Sequence, residues 1–549
     1  MTRCVLRPWS MLLLGLVLAP ALAQTETIVF SPYEQQDIAI SKALFTATHS
    51  IDMALYSISP ESDWVEDPGP DASQPAIERW KAFRAQLEAG DVKPFDMIRW
   101  KSQEKGVRCR LILHRAALDP WSIDAANRFR DVGVEVRWIH KTMHHKFAIV
   151  DGKILINGSG NWSRGAAERY SENTVIYEGH TGLVRQFAAE FRYLWDTLLA
   201  EGRASVFDPA LLPIDPVPPS SFFVERQVWH SWTAPIEAYF TSENRNSWEY
   251  TCADKIISEM RRARRSITIM INHFNMGRIS NALIQVHRQK NKNADPSDDV
   301  KIQVLMDLGE FDAGNIGVSR ARELEQAGIE VRYKAFSLSF YYPKAQFMHH
   351  KVMVIDSERM VTGSYNWSTT GEHKNYENIT VHQGPTQQAL IDAVEGEFQG
   401  LWEARRDLLP DFRAAVLSKP GDEGYRRYVP VHFSGSYYKT IMTLTRAEIE
   451  SFRKPLEAMG YRPAVEGDEE ATNNHAYRYF DKETGTFTDV GPGDTFVRDE
   501  HVIRGPATTD AATEAGPAPA ITPATPPPPP TTGIVGELPV EEPVSDQQE

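Results

Sequence analysis

Two stretches of the chain carry an imidazole, an ammonium and an amide in the same order. The first sets His144 two residues before Lys146. Asp151, then Gly158-Ser159-Gly160-Asn161-Trp162-Ser163, then Glu172-Asn173 follow. The second repeats this as His349, Lys351, Asp356, Gly363-Ser364-Tyr365-Asn366-Trp367-Ser368 and Glu377-Asn378. Every member is displaced by 205 residues, so no insertion or deletion separates the copies. A match of this length at one fixed offset marks an internal duplication.

Met143–Val150 reads as a strand, and on a strand residues two apart share a face. His144 and Lys146 therefore emerge side by side, as do His349 and Lys351, while His145 and His350 point the other way. Ser159 and Asn161, with Ser364 and Asn366, add neutral groups able to bind phosphate oxygens. The glycine before each serine lets the backbone turn or approach closely. One copy supplies half a site for a phosphodiester. Two copies packed about an approximate two-fold supply two imidazoles, two ammonium groups and two amides around one phosphorus. One imidazole then attacks phosphorus and the other protonates the departing alcohol. The residues alone do not order these two roles. Glu172 and Glu377 are the candidate carboxylates that fix each ring's tautomer. Asp151 and Asp356 belong to the candidate catalytic string but read as structural acceptors near a strand end. Trp162 and Trp367 read as core. Isolated histidines such as His230 and His273 read as surface or satisfied core residues.

These groups need a scaffold that alternates strands with helices. Strands are expected at Thr27–Phe30, Ile51–Ile58, Val107–Leu113, Val134–Trp138 and Ile154–Asn157. Their second-half counterparts are Ile236–Phe240, Ile267–Phe274, Val300–Met306 and Ile329–Tyr333. Helices around Leu183–Leu199 and Ala389–Trp402 close the two units. The fold class is α/β: two pseudo-two-fold-related lobes, each a mixed sheet flanked by helices, with one active site at their interface. The expected division is a lobe at 24–204, a Pro-rich linker at 205–233, a second lobe at 234–410 and an accessory region at 411–504. Residues 59–94 have no counterpart of that length and read as a surface loop. Residues 411–504 include Tyr437-Tyr438 and a strand-like Tyr477–Phe480.

The two ends differ from the middle. Residues 1–23 pair Arg3 and Arg7 with an apolar Met11–Leu18 and a small-residue Ala21-Leu22-Ala23, the pattern of a secretory signal. No later stretch reaches the roughly 20 apolar residues of a membrane helix, so an exported chain, secreted or periplasmic, is expected. From Gly505 the chain is Ala, Thr and Pro with seven acidic and no basic residues. That composition cannot bury a core and is expected to be disordered. Between the ends, 57 basic and 67 acidic residues leave a net charge of −10, the wrong sign for a chain that grips nucleic acid by global charge. The run Arg261-Arg262-Ala263-Arg264-Arg265 reads as a solvated helix end. Cys109 and Cys252 lie in different halves and read as two buried thiols. No His or Cys cluster has metal-ligand spacing, so neither metal nor other cofactor is expected.

The strings HHKFAIVDGKILINGSGNWS and HHKVMVIDSERMVTGSYNWS resemble the HxKxxxxDxxxxxxGSxN signature of the phospholipase D superfamily, and neither copy departs from it. The resemblance covers nearly all of 27–405. It implies the two-lobed fold, a shared site without metal, and a phosphohistidine route in which His144 is the nucleophile and His349 the general acid. Intact chemistry in both copies weighs against a mere binding scaffold. The HHK and GSxNW strings also look like the small endonuclease and mitochondrial cardiolipin hydrolase branch. The acidic balance favours hydrolysis of phospholipid head groups, for example phosphatidylcholine to phosphatidate and choline, at a membrane surface, with transphosphatidylation when an alcohol replaces water. A secreted or periplasmic endonuclease acting on nucleic acid and a cardiolipin synthase-like transferase are the alternatives. With both halves in one chain, a monomer is expected.

Overall fold

The computed structural model describes residues 24–114, 120–139, 142–168, 170–198, 234–290, 299–312, 319–336, 347–404, 406–423, 425, 427–433, 441–460 and 477–488. The expected signal, linker and tail, together with His230 and Tyr437-Tyr438, lie outside the described residues.

The N-terminal lobe opens with β1 (Thr25–Ser31), α1 (Gln36–Phe45), β2 (Ser50–Leu55), α2 (Gln74–Ala89), α3 (Pro94–Gln103) and β3 (Arg108–His114). It continues through α4 (Pro120–Asp131), β4 (Glu135–Ile139), β5 (Thr142–Met143), β6 (Lys146–Val150) and β7 (Ile154–Gly158). Helix α5 (Arg164–Glu168), β8 (Glu172–Glu178) and α6 (Thr181–Arg192) complete it. The second lobe begins with β9 (Ile236–Phe240), α7 (Thr251–Met260), β10 (Ser266–Ile271), α8 (Gly277–Lys290) and β11 (Lys301–Asp307). After α9 (Leu308–Asp312) and α10 (Ala321–Gln326) come β12 (Glu330–Phe336), β13 (Lys351–Ile355) and β14 (Arg359–Gly363). Next are α11 (Thr369–His373), β15 (Asn375–Tyr376), β16 (Asn378–Gln383) and α12 (Gln388–Trp402). The chain ends its described part with α13 (Leu409–Leu417), β17 (Tyr428–Phe433), β18 (Ile441–Leu444), α14 (Arg446–Ala458), β19 (Tyr477–Asp481) and β20 (Thr486–Thr488).

The N-terminal sheet has the order β1-β8-β7-β6-β2-β3-β4. The second sheet repeats it as β9-β16-β14-β13-β10-β11-β12 and adds β18 at the edge. In each, the strands β2-β3-β4 or β10-β11-β12 are parallel and the rest antiparallel, which is the mixed sheet expected. Alternation along β6 explains how two sheets stack. Phe147 and Ile149 face a core shared with Val352, Val354 and Phe398 of the other lobe, while Ala148 and Val150 face the lobe's own helices.

Three features differ from expectation. Segment 59–94 is not simply a loop: it contains α2, which opens with proline in its first turn and closes at Gly90 in the left-handed conformation (φ 75°). Phe83 and Leu87, four apart on this helix, are buried in the N-terminal core. Part of 411–504 belongs to the second lobe, because β18 pairs with β12 and α14 sends Ile449, Phe452 and Leu456 into its core. Finally, the expected strand Met143–Val150 is broken at His144-His145, for a reason that defines the site. Arg261, Arg262, Arg264 and Arg265 are exposed at the end of α7, as expected. Cys109 and Cys252 are buried, free thiols. Among the described residues no helix is long and apolar enough to cross a membrane.

Candidate active site

Strand β5 leaves its own sheet to pair in parallel with β15 of the other lobe, Met143 opposite Tyr376. His144 N then donates to Tyr376 O at 3.0 Å. The two-fold-related seam joins Ser171 to Met348, where Ser171 N donates to Phe347 O at 3.0 Å and His349 N to Ser171 O at 2.9 Å. Each catalytic-candidate histidine is thus fastened to the residue that precedes the other lobe's glutamate.

That backbone seam carries the carboxylates across. Glu377 Oε1 lies 2.7 Å from His144 Nδ1, and Glu172 Oε1 lies 2.7 Å from His349 Nδ1. Both carboxylates are fully buried. The contacts are ion-pair contacts in the first place, since neither ring Nδ1 has a hydrogen-bond partner. A carboxylate at Nδ1 favours the proton there and turns Nε2 toward the reacting atom.

The adjacent asparagines cross as well. Asn378 Nδ2 lies 2.9 Å from His145 Nδ1, and Asn173 Oδ1 lies 3.2 Å from His350 Nδ1. Each asparagine also bonds a side chain on the opposite lobe's hairpin: Asn157 Nδ2 donates to Asn378 Oδ1, and Asn173 Nδ2 to Thr362 Oγ1, both at 3.0 Å. His145 and His350 face away from the chemistry, as the strand period predicts, and lock the seam instead. His145 Nε2 completes its bonding at Glu190, 3.2 Å away.

Lys146 Nζ donates to His144 O and Lys351 Nζ to His349 O, each at 2.7 Å. Burial lowers Lys146 to about 7 and Lys351 to about 8, and the same burial raises Glu172 and Glu377 to about 7. Both histidines are held well below their ordinary value, first by burial and then by the lysine charges of both lobes. Lys351 and His349 act on His144, so the two halves share one electrostatic site. A neutral imidazole beside buried lysines suits attack on an anionic diester, whose charge would restore the protonated lysines.

The remaining expected residues divide. Asn161 and Asn366 are partly exposed, and each keeps a buried Oδ1 without a partner, so only the Nδ2 donor of each amide could serve a phosphate oxygen. Ser159 and Ser364, expected at phosphate, are instead fully buried behind the glutamates. Ser364 Oγ donates to Glu377 Oε2 at 2.7 Å and accepts from Asn378 N at 3.0 Å. Ser159 Oγ accepts from Asn173 N at 3.0 Å and lowers Glu172 against the effect of its burial. A short hydroxyl on this strand reaches the neighbouring strand, not the cleft. Gly158 and Gly363 serve the same approach: a Cβ would come to 2.1 Å of Asn173 O and 2.3 Å of Asn378 O.

Asp151 and Asp356 are not at the reacting centre. They lie beyond the far end of the five-residue strands β6 and β13, roughly 16 Å along from the lysines. Asp151 accepts from the backbone N–H of Thr48, His49 and Ser50 and from Thr48 Oγ1, all within 2.7–2.8 Å. Those bonds hold its carboxyl well below the usual range despite partial burial. Asp356 likewise accepts from the backbone N–H groups of Arg264, Arg265 and Ser266. Both aspartates adopt positive φ, which a short polar side chain tolerates. Trp162 and Trp367 are core residues.

Other residues near the site have no counterpart in the motif. Tyr56 sets its ring edge-on to His144, centroids 4.9 Å apart, and stacks on His114, which burial lowers to about 4. In the second lobe Asp307 occupies the position of His114, and its Oδ2 accepts from Met348 N at 2.8 Å. Lys334 Nζ donates to Phe347 O at 3.1 Å, so two buried charges hold the segment leading to His349. The legible signal was a polar residue closing an apolar run at the carboxyl end of a parallel strand. Among the described residues, no cluster of three or more His, Cys, Asp or Glu could hold a metal ion.

The family model described as "Cardiolipin synthase, PLD-like domain" matches residues 93–195 and 256–402. A mitochondrial cardiolipin hydrolase of Chlamydomonas reinhardtii is 41% identical over 95 residues, 17% of this chain and 41% of that protein. That of Danio rerio is 29% identical over 154 residues, 28% of this chain and 58% of its own length. The chain thus spans about half the length of these curated relatives. The solved phosphatidylserine synthase of Haemophilus influenzae gives a TM-score of 0.40 at 12% identity, covering 68% of this chain and 85% of that one. With the duplicated motif assembled into one crossed site and the family model matched in both lobes, this chain belongs to the phospholipase D superfamily.

Proposed function

We propose that the chain is a phosphodiester hydrolase of phospholipase D type that cleaves phospholipid head groups through a phosphohistidine. The observation that carries this reading is the pair of crossed His–Glu contacts within one buried, lysine-lined site. His144 Nε2 attacks phosphorus as the bond to the head-group oxygen breaks. His349, taking up a second proton on Nε2 when the anionic diester lies between the lysines and Glu172 supports the charged ring, gives that oxygen this proton. Lys146, Lys351, Asn161 and Asn366 offset the charge that builds on the non-bridging oxygens. A water then loses a proton to His349 and attacks phosphorus, breaking the P–N bond and releasing phosphatidate. An alcohol in place of that water gives transphosphatidylation. Support for a lipid diester comes from the cardiolipin hydrolase relatives and from a net charge of −15.

The test offers the purified chain phospholipid vesicles, including phosphatidylcholine, and single- and double-stranded DNA in parallel, with chelator present. Head-group release without DNA cleavage supports the reading. DNA cleavage without lipid turnover replaces it with a nuclease.

A further inference from the structure

Another His–Glu pair, this one with a partly exposed ring, lies beside the two crossed ones. His273 Nδ1 is 2.7 Å from Glu310 Oε1. Glu310 is buried, whereas the His273 side chain is 34% exposed. With Nδ1 turned inward to the carboxylate, the opposite ring edge, Nε2, is the one left for solvent or a ligand.

Its place in the sheet puts it at the mouth of the site. Strand β10 pairs with β13 through Ile271 and Lys351, and Asn272 N still donates to His350 O at 3.0 Å. The next residues in this antiparallel register are His273 and His349. On its other side, Trp367 N donates to His273 O at 3.1 Å, directly after Asn366. His273 therefore sits between the loops carrying His349 and Asn366. The N-terminal lobe makes the same backbone bonds, from Tyr56 N to His145 O and from Trp162 N to Ser57 O, but has a serine at this position. The pair breaks the two-fold symmetry on the His349 side alone.

We propose that His273, oriented by Glu310, forms a leaving-group subsite that accepts a hydrogen bond from a hydroxyl of the departing alcohol. The proposal rests on the phospholipid reading above and narrows its substrate class to diesters whose head group is a neutral polyol, as in phosphatidylglycerol. His349 protonates the leaving oxygen, so its neighbour in register meets the leaving group. With Nδ1 protonated toward Glu310, Nε2 offers a lone pair to a hydroxyl. A choline head group has no hydroxyl to donate to it.

The test measures kcat/KM of the full chain on phosphatidylglycerol and phosphatidylcholine presented in otherwise identical vesicles. The wild type favours phosphatidylglycerol, and His273→Ser and Glu310→Gln each reduce that preference by about tenfold, the worth of one hydrogen bond. A preference unchanged in both variants, including a uniform loss on both lipids, overturns the subsite. A wild type that prefers phosphatidylcholine overturns it too. Absence of wild-type turnover on every phospholipid sinks the underlying lipid reading, and is seen before any variant is made.

Discussion

Glu377, from the C-terminal lobe, reaches within 2.7 Å of Nδ1 of His144 in the N-terminal lobe. The reciprocal pair, Glu172 with His349, makes each lobe's chemistry depend on the other. Glu377→Gln keeps the shape but removes the charge that supports the ring's protonated forms. The expected result is a loss of about 10²–10³ in kcat with a much smaller change in KM, within the range for general acid–base groups. Steady-state kinetics on a soluble diester checks it. A change confined to KM would mean that Glu377 serves binding alone.

The pH dependence follows from burial. Glu172 and Glu377 are raised to about 7, so they lose charge as pH falls through that value. Lys146 and Lys351 are lowered to about 7 and 8, so they lose charge as pH rises through those values. A profile of kcat/KM should therefore be a narrow bell between pH 7 and 8, with its alkaline limb far below the usual lysine range near 10. Activity that stays flat to pH 10 would contradict this.

Asp151 holds the turn before β2 by accepting three backbone N–H groups and one hydroxyl. Asp151→Ala leaves those donors partnered only by water and is expected to cost about 2–3 kcal/mol, as hydrogen bonds to a charged group do. Denaturant unfolding at neutral pH reads the loss. Because the folded carboxyl lies well below its usual range, the contribution is present above about pH 4 and fades as pH falls further. Equal stability of the two proteins at neutral pH would show that the turn holds itself.

Gly363→Ala would drive a methyl to 2.3 Å of Asn378 O, a backbone atom that cannot swing aside. The expected outcome is separation of β14 from β16, with loss of the Ser364–Glu377 contact and of more than about 3 kcal/mol. Thermal melting measures it. A variant as stable as the wild type would mean that these strands can part without cost.

Much of this was legible because strand chemistry is local. The two-residue spacing put His144 with Lys146 and sent His145 elsewhere, and the fixed offset announced two equivalent lobes. The crossed pairing was not legible. Glu172 and Glu377 were recognisable as orienting carboxylates, yet only the seam between β5 and β15 decides that each serves the other lobe. Ser159 and Ser364 were misplaced for a related reason: a hydroxyl near a glycine can face a ligand or an adjacent strand, and the strand order settles which. Helix α2 was missed because proline and acidic residues around it outweighed the i, i+4 pair Phe83 and Leu87.

The most direct measurement is the stoichiometry and position of phosphate trapped by rapid denaturation at alkaline pH during turnover of a phosphorus-labelled diester, since a phosphohistidine survives base and is lost in acid. One shared pocket requires at most one labelled phosphate per chain, carried on His144 and absent from His144→Ala. Two phosphates per chain, one on each histidine, would show two independent sites and contradict the crossed assembly.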